Sequence, residues 1–212
     1  MILGLGGSSN YKQMKIVSRP KEKSMSRFTD LQQQHSAWRN AHWEYRMNCS
    51  IYMNAFTNQF RKYIEAPEYY DDYSDGVDQP KKVKYVAVAE AEIKSDGFHK
   101  LTEIPATQTT ATLVKADNGR WVAGIKLVVD MAVNSYPKSA YFFPIEFEIE
   151  GNICRMEIGG ETGGQFTYDV SDPSGPHEAF DYMIGWLGGV YASKPWETSK
   201  KGPMGFVVNG SR

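Results

Sequence analysis

The chain has 212 residues, of which 41% are hydrophobic and 23% are charged, proportions typical of a folded protein that exclude disorder along the whole chain. Its formal net charge of −1 provides no global field that would attract nucleic acid or an anionic membrane. No apolar run approaches the roughly 20 residues of a membrane-spanning helix, and the glycine-rich first residues do not resemble a secretory leader. The two cysteines, Cys49 and Cys154, are predicted to be free thiols. We therefore expect a cytoplasmic protein that does not contact membranes.

Residues 1–27 are predicted to form a basic, flexible arm. They are rich in Gly and Ser, and Glu22 is their only acidic residue. Segments of this composition cannot bury enough apolar surface to fold alone. The arm carries six basic residues, which are Lys12, Lys15, Arg19, Lys21, Lys23 and Arg27.

Residues 28–66 are predicted to form a long amphipathic helix that is rich in aromatic residues. Its large side chains recur at alternating three- and four-residue spacing, which places them on one helix face. This stripe consists of Leu31, His35, Trp38, His42, Tyr45, Cys49, Tyr52, Phe56 and Tyr63. Weak helix formers surround Cys49, so the helix is expected to be either straight or kinked there. Because it would be about 50 Å long, part of the stripe is expected to meet a partner.

Residues 67–80 are predicted to be an acidic linker that also bears tyrosines. The segment resembles a calcium-binding loop only superficially. Tyr73 stands where an oxygen ligand is required, and Lys82 stands where a bidentate glutamate is required.

Residues 81–212 are predicted to form a β-rich domain, because the apolar periodicity changes here from about 3.6 to 2. The clearest strand is Tyr141–Glu150, and Gly151-Asn152 turns it back into a second strand. Asp117-Asn118-Gly119 is a further hairpin signal. A helix at about 177–191 has a broad apolar face that suits packing across the sheet. The predicted fold is α+β: the long N-terminal helix plus an antiparallel sheet of about five strands, packed by the C-terminal helix.

Catalytic and metal-binding patterns are weak throughout the chain. His35 and His42 are seven residues apart, hence about 10 Å apart along a helix axis, which is too far to share one metal ion. Glu146, Glu148 and Glu150 alternate along one strand, as expected for the solvent-exposed face of an antiparallel sheet. We therefore predict no enzyme activity, no metal ion and no cofactor.

The leading functional hypothesis is a non-catalytic interaction or assembly protein, either self-associating or a structural component of a larger complex. Large aromatic side chains dominate the energy of protein interfaces, and the helix face supplies several. The predicted partner-binding residues are Trp38, Tyr45, Tyr52, Phe56, Phe60 and Tyr63. A protein partner is expected, with a homo-oligomer favoured.

Two alternatives belong to other classes. The first is a single-stranded nucleic-acid-binding protein, because such proteins combine phosphate-pairing charge with stacking rings. Its contacts would be Lys12, Lys15, Arg19, Lys21, Lys23, Arg27, Arg39, Trp43 and Arg46. The second is a small enzyme with a site near the Gly159–Gly164 loop, where Glu146 or Glu148 would act as acid or base.

Overall fold

The computed structural model describes residues 26–73, 79–93, 99–103, 113–160, 163–192 and 207–210. Within these ranges the helices are α1 (Arg27–Tyr63) and α2 (His177–Ala192). The strands are β1 (Tyr69–Asp72), β2 (Lys81–Lys84), β3 (Val86–Ile93), β4 (His99–Glu103), β5 (Val114–Lys115), β6 (Trp121–Val129), β7 (Ser139–Glu150), β8 (Ile153–Ile158), β9 (Gly164–Asp169) and β10 (Val207–Gly210). The predicted arm lies outside the described residues, apart from its last two positions.

The strands form antiparallel sheets, which confirms the predicted α+β class. The main path runs β4-β3-β6-β7-β8-β9, with β5 paired to β6 and β10 paired to β7. β7 is long enough to pair with two strands along the edge opposite β6. Its first residues pair with β10, and its last six residues pair with β8. The described part of this sheet has eight strands rather than about five. Strand β4 was missed because its sequence, HKLTE, lacks the alternation of a half-buried strand.

Both predicted hairpin turns are confirmed. Gly119 connects β5 to β6 with a φ of +86°, and Gly151 connects β7 to β8 with a φ of +59°. Residues with a side chain rarely adopt this backbone conformation, whereas glycine adopts it without steric cost. The turns therefore fix the register of the pairs that follow them.

Helix α1 is one uninterrupted helix of 37 residues. Ser26 accepts a hydrogen bond from the backbone N–H of Thr29 at 3.2 Å and caps its start. The helix continues through Cys49 without a break. Polar side chains in this region bond to carbonyls four residues earlier, as Asn54 does to Ser50 (2.9 Å) and Thr57 does to Met53 (2.8 Å).

The main core lies between one face of the eight-stranded sheet, α2 and the second half of α1. Phe143, Ile145 and Phe147 of β7 point to this face and are completely buried, as the alternation along this strand predicts. On the other face a smaller cluster surrounds Leu101 of β4. Leu101 packs directly on Gly124, where a Cβ atom would stand 2.8 Å from both Leu101 methyl carbons.

Residues 67–80, predicted to be an acidic linker, contain strand β1. This strand pairs with β2 in a separate two-stranded sheet, in which Asp71 is opposite Lys82. The two side chains also form an ion pair. Residues 74–78 lie outside the described residues.

The chain divides into two compact units, residues 1–40 and residues 41–212. The boundary lies inside α1. The first unit contains the initial 14 residues of this helix, Arg27 to Asn40, and the second contains the rest of the helix together with the sheets and α2.

Candidate functional site

The first unit presents a row of large side chains to solvent. Leu31 and Trp38 of the predicted stripe are 61% and 64% exposed. Phe28, which is not part of the predicted stripe, extends the same spacing and is 67% exposed. The imidazole of His35 lies between Leu31 and Trp38 in this spacing, and its ring stacks near Trp38 with centroids 6.3 Å apart. We call Phe28, Leu31, His35 and Trp38 the exposed stripe.

These side chains lie in a helix segment that is exposed along its whole length. Every residue from 31 to 41 is exposed. Three consecutive glutamines, Gln32 to Gln34, and the charged Arg39 surround the exposed stripe with polar groups. A row of large apolar residues with a polar margin is typical of an interaction site.

In the second unit the same spacing produces a core instead of a surface. Phe56 and Phe60 are completely buried, so their prediction as partner-binding residues was wrong. Their rings lie 5.0 and 5.4 Å from that of Phe180 on α2, and Phe60 also meets the edge of Phe143. The chain's own sheet and α2 fill the space in which a partner was expected.

Tyr52 is half-buried and belongs to the same core. Its ring lies 5.7 Å from Phe147, and its hydroxyl forms a hydrogen bond with the hydroxyl of Tyr168 on β9. Burial, followed by the influence of Tyr168, raises the pKa of Tyr52 far above its ordinary value. Tyr52 therefore joins α1 to the sheet, which is a structural role.

Tyr45 and Tyr63 lie at the margin of the core and are each 36% exposed. The hydroxyl of Tyr45 accepts a hydrogen bond from the backbone N–H of Ile149 at 3.2 Å. The hydroxyl of Tyr63 donates to Asp181 of α2 at 2.7 Å. Both residues remain partly available to a partner, although their polar ends are already bonded within the chain.

The thiols of Cys49 and Cys154 are free and buried, as predicted. Burial raises the pKa of Cys49 from about 9 to about 11 and also raises the pKa of Cys154. Since the thiolate is the reactive form, neither cysteine is suited to nucleophilic catalysis near neutral pH.

Because both thiols are buried, we predict that the free energy of unfolding decreases as the pH rises above about 9. The pKa of Cys49 is higher in the folded state than in the unfolded state. The contribution of this thiol to the free energy of unfolding is therefore fully present below pH 9 and is lost between pH 9 and about 11. The loss from Cys49 reaches about 3 kcal/mol at most, and Cys154, Tyr52 and Tyr168 act in the same direction. Urea unfolding in reducing buffer at pH 8 and pH 10.5 measures this decrease in the free energy of unfolding. Cys49→Ala should flatten the dependence, and an unfolding free energy that is equal at both pH values would contradict the prediction.

The carboxylates proposed for an enzyme site are engaged with neighbours on the sheet. Glu148 pairs with Arg155 across the β7–β8 ladder at 3.4 Å. Glu146 accepts a hydrogen bond from Asn118 at 3.0 Å. Gly159 and Gly160 of the adjacent loop have positive φ values, which a tight turn requires. Residues 161–162 lie outside the described residues.

The residues predicted for nucleic-acid contact are only partly described. Lys12, Lys15, Arg19, Lys21 and Lys23 lie outside the described residues. Arg27 and Arg39 are exposed in the first unit, while in the second unit Trp43 is exposed and Arg46 is half-buried. Within the described ranges, no group of three or more His, Cys, Asp or Glu is arranged to hold a metal ion. In the same residues, neither helix has the length and apolarity to span a bilayer.

The second unit contains a buried ionic cluster that the sequence did not predict. The ammonium of Lys138 lies 2.8 Å from a carboxylate oxygen of Asp130, and both side chains are under 10% exposed. It also lies over the rings of Tyr70, Tyr136 and Tyr85, at 4.5, 5.0 and 5.6 Å from their centroids. This cation–π cluster fixes the β6–β7 loop on the β1–β2 hairpin. Tyr70 and Tyr85 are distant in sequence from Asp130, Tyr136 and Lys138, so no local pattern reveals the cluster.

Comparison with protein-family models, with curated proteins and with solved structures finds no match for this chain. Its function is therefore inferred from the residues described above.

Proposed function

We propose that this chain is a non-catalytic assembly protein that associates with itself through the exposed stripe of α1. One observation carries the proposal: Phe28, Leu31 and Trp38 are each more than 60% exposed although they occupy one face of a regular helix. Solvation of such side chains is costly, because full burial of a large apolar side chain is worth about 1.5–3 kcal/mol.

The spacing of the exposed stripe suits packing against another helical surface. Residues 28, 31, 35 and 38 follow the three- and four-residue alternation by which side chains of one helix fit between those of another. Tryptophan is the residue most enriched at the energetic centres of interfaces. Trp38 therefore is the expected anchor, with Phe28 and Leu31 beside it and the glutamines at the margin.

The second unit supports this proposal by contrast. Its part of α1 continues the spacing with Cys49, Met53, Phe56 and Phe60, all of which are buried against the sheet and α2. In the second unit, the sheet and α2 therefore cover the large side chains of α1. In the first unit Phe28, Leu31 and Trp38 stay largely exposed, and this difference supports a partner-binding role for the exposed stripe.

Trp38→Ala is expected to weaken self-association by about 30-fold, since truncation of an interface anchor costs about 2 kcal/mol or more. Light scattering over protein concentrations from roughly 1 μM to 1 mM measures the mass. Trp43→Ala is the matched control, because Trp43 is the same residue type, is 62% exposed on the same helix and does not belong to the stripe. It should leave the mass unchanged. A wild type that remains monomeric throughout, or equal effects of the two variants, would contradict the proposal.

A further inference from the structure

The two cysteines of the chain lie on elements that pack against each other in the main core. Cys49 is on α1 and Cys154 is on β8, and both side chains are completely buried. The chain has two cysteines in all, so each thiol has a single candidate partner within the chain. A bond between these two thiols would join α1 to the sheet.

Two tyrosines of α1 fix the position of Cys49 over the sheet. Tyr45, Cys49 and Tyr52 follow one another at four- and three-residue spacing, so their side chains lie on one face of the helix. The hydroxyl of Tyr45 accepts a hydrogen bond from the backbone N–H of Ile149 at 3.2 Å. The hydroxyl of Tyr52 is bonded to the hydroxyl of Tyr168. Cys49 therefore lies between two points at which α1 is bonded to the sheet.

Cys154 lies between the same two points on the side of the sheet. It is directly opposite Ile149 in the β7–β8 ladder and directly opposite Tyr168 in the β8–β9 ladder. Residues directly opposite each other in antiparallel strands have their side chains on the same face. That face is the inner one, because the hydroxyl of Tyr168 also reaches the sulfur of buried Met156 at 3.8 Å. The thiol of Cys49 therefore faces the thiol of Cys154.

The electrostatic influence of one thiol on the other agrees with this placement. Burial is the main cause of the raised pKa of Cys49, and the neighbouring Cys154 raises that pKa further. A negative charge has this effect on an acidic group that lies close to it. In the folded chain both thiols are shielded from solvent, so an oxidant reaches them only while α1 is away from the sheet.

We propose that Cys49 and Cys154 are a modification site, at which oxidation by a small-molecule disulfide forms a covalent bond between α1 and β8. With glutathione disulfide, the thiolate of one cysteine attacks a glutathione sulfur and forms a mixed disulfide, and the departing glutathione thiolate takes up the proton. The thiolate of the second cysteine then attacks the protein sulfur of the mixed disulfide and releases the second glutathione. Two protein thiols are oxidised, and one glutathione disulfide is reduced to two glutathione thiols. The inference is independent of the proposed function.

An equilibrium titration with glutathione tests the site. The reduced full-length chain is diluted from urea into buffers that contain reduced and oxidised glutathione in graded ratios, and exchange is stopped with acid. Mass spectrometry measures the fraction of chains that have lost two hydrogen atoms, and peptide mapping identifies the linked Cys49 and Cys154 peptides. The same titration in concentrated urea gives the equilibrium constant of the unfolded chain. Folding and bridge formation favour each other by the same factor, so the constant should be higher in native buffer by about 30-fold or more, as the usual stabilisation by a disulfide implies.

The result that would overturn the proposal is an equilibrium constant in native buffer equal to or below the constant in urea, because the fold would then not hold the two thiols at bonding distance. A native product in which each cysteine carries one glutathione would overturn it as well. Cys154→Ser is the control, since it leaves Cys49 as the single thiol. This variant should form the mixed disulfide with glutathione and never the product that lacks two hydrogen atoms. If it formed that product, the assignment of the bond to Cys49 and Cys154 would be wrong.

Discussion

Phe180→Ala is expected to lower the free energy of unfolding by about 3–5 kcal/mol, the usual cost of removing a fully buried aromatic ring. Phe180 is 1% exposed. Its ring has centroids of Phe56, Phe60 and Tyr63 within 5.0 to 5.4 Å, so its loss leaves a cavity where α2, α1 and the sheet meet. Urea denaturation of the wild type and the variant measures the difference.

Phe28→Ala is the matched control for this substitution. Phe28 is the same residue type, lies on α1 and is 67% exposed. At a protein concentration low enough to keep the chain monomeric, its truncation should change the unfolding free energy by less than about 0.5 kcal/mol. If Phe180→Ala were as mild as Phe28→Ala, the core assigned to this unit would be wrong.

Asp130→Asn is expected to lower the free energy of unfolding by about 3 kcal/mol, because it leaves the buried ammonium of Lys138 without its counter-charge. The carboxylate also accepts a hydrogen bond from the hydroxyl of Tyr85 at 2.6 Å. Burial by itself would raise the pKa of Asp130, but the bonds from Lys138 and Tyr85 outweigh it and hold the pKa below its ordinary value.

The sign of the acid dependence follows from this lowered pKa. Asp130 contributes to the free energy of unfolding at pH values above its unfolded-state pKa of about 3.9. This contribution is lost as the pH falls through the folded-state pKa. When unfolding is measured at pH 7 and pH 3, the free energy of unfolding should therefore decrease less in Asp130→Asn than in the wild type. Glu150→Gln is the control, since its pair with Arg155 is exposed and such pairs contribute about 0–1 kcal/mol. Equal effects of the two substitutions at pH 7 would contradict the importance of the buried cluster.

Much of the fold could be predicted from local patterns. The three- and four-residue spacing of large side chains identified α1, because a helix repeats every 3.6 residues whatever it packs against. Alternation along Tyr141–Glu150 and the turn at Gly151-Asn152 identified the β7–β8 hairpin for an equally local reason. Strand β4 could not be found in this way. It is defined by pairing with β3, and a pairing partner is not visible in the polar sequence of β4 itself.

The candidate site was predicted less well, because burial is not a local property. Trp38 and Phe56 occupy equivalent positions in the spacing, yet Trp38 is 64% exposed and Phe56 is 1% exposed. The cluster around Lys138 depends on loops that meet only after the sheet has formed.

The sequence by itself determined that this chain has a long aromatic helix, an antiparallel sheet and a C-terminal helix, since periodicity and turn chemistry act over a few residues. It also determined that positive charge collects in residues 1–27 and negative charge in residues 67–80. Only the tertiary structure decided which part of the aromatic stripe is core and which part is surface. The physical reason is that an apolar side chain is buried only where another element of the fold covers it, as α2 and the sheet cover Phe56 and Phe60.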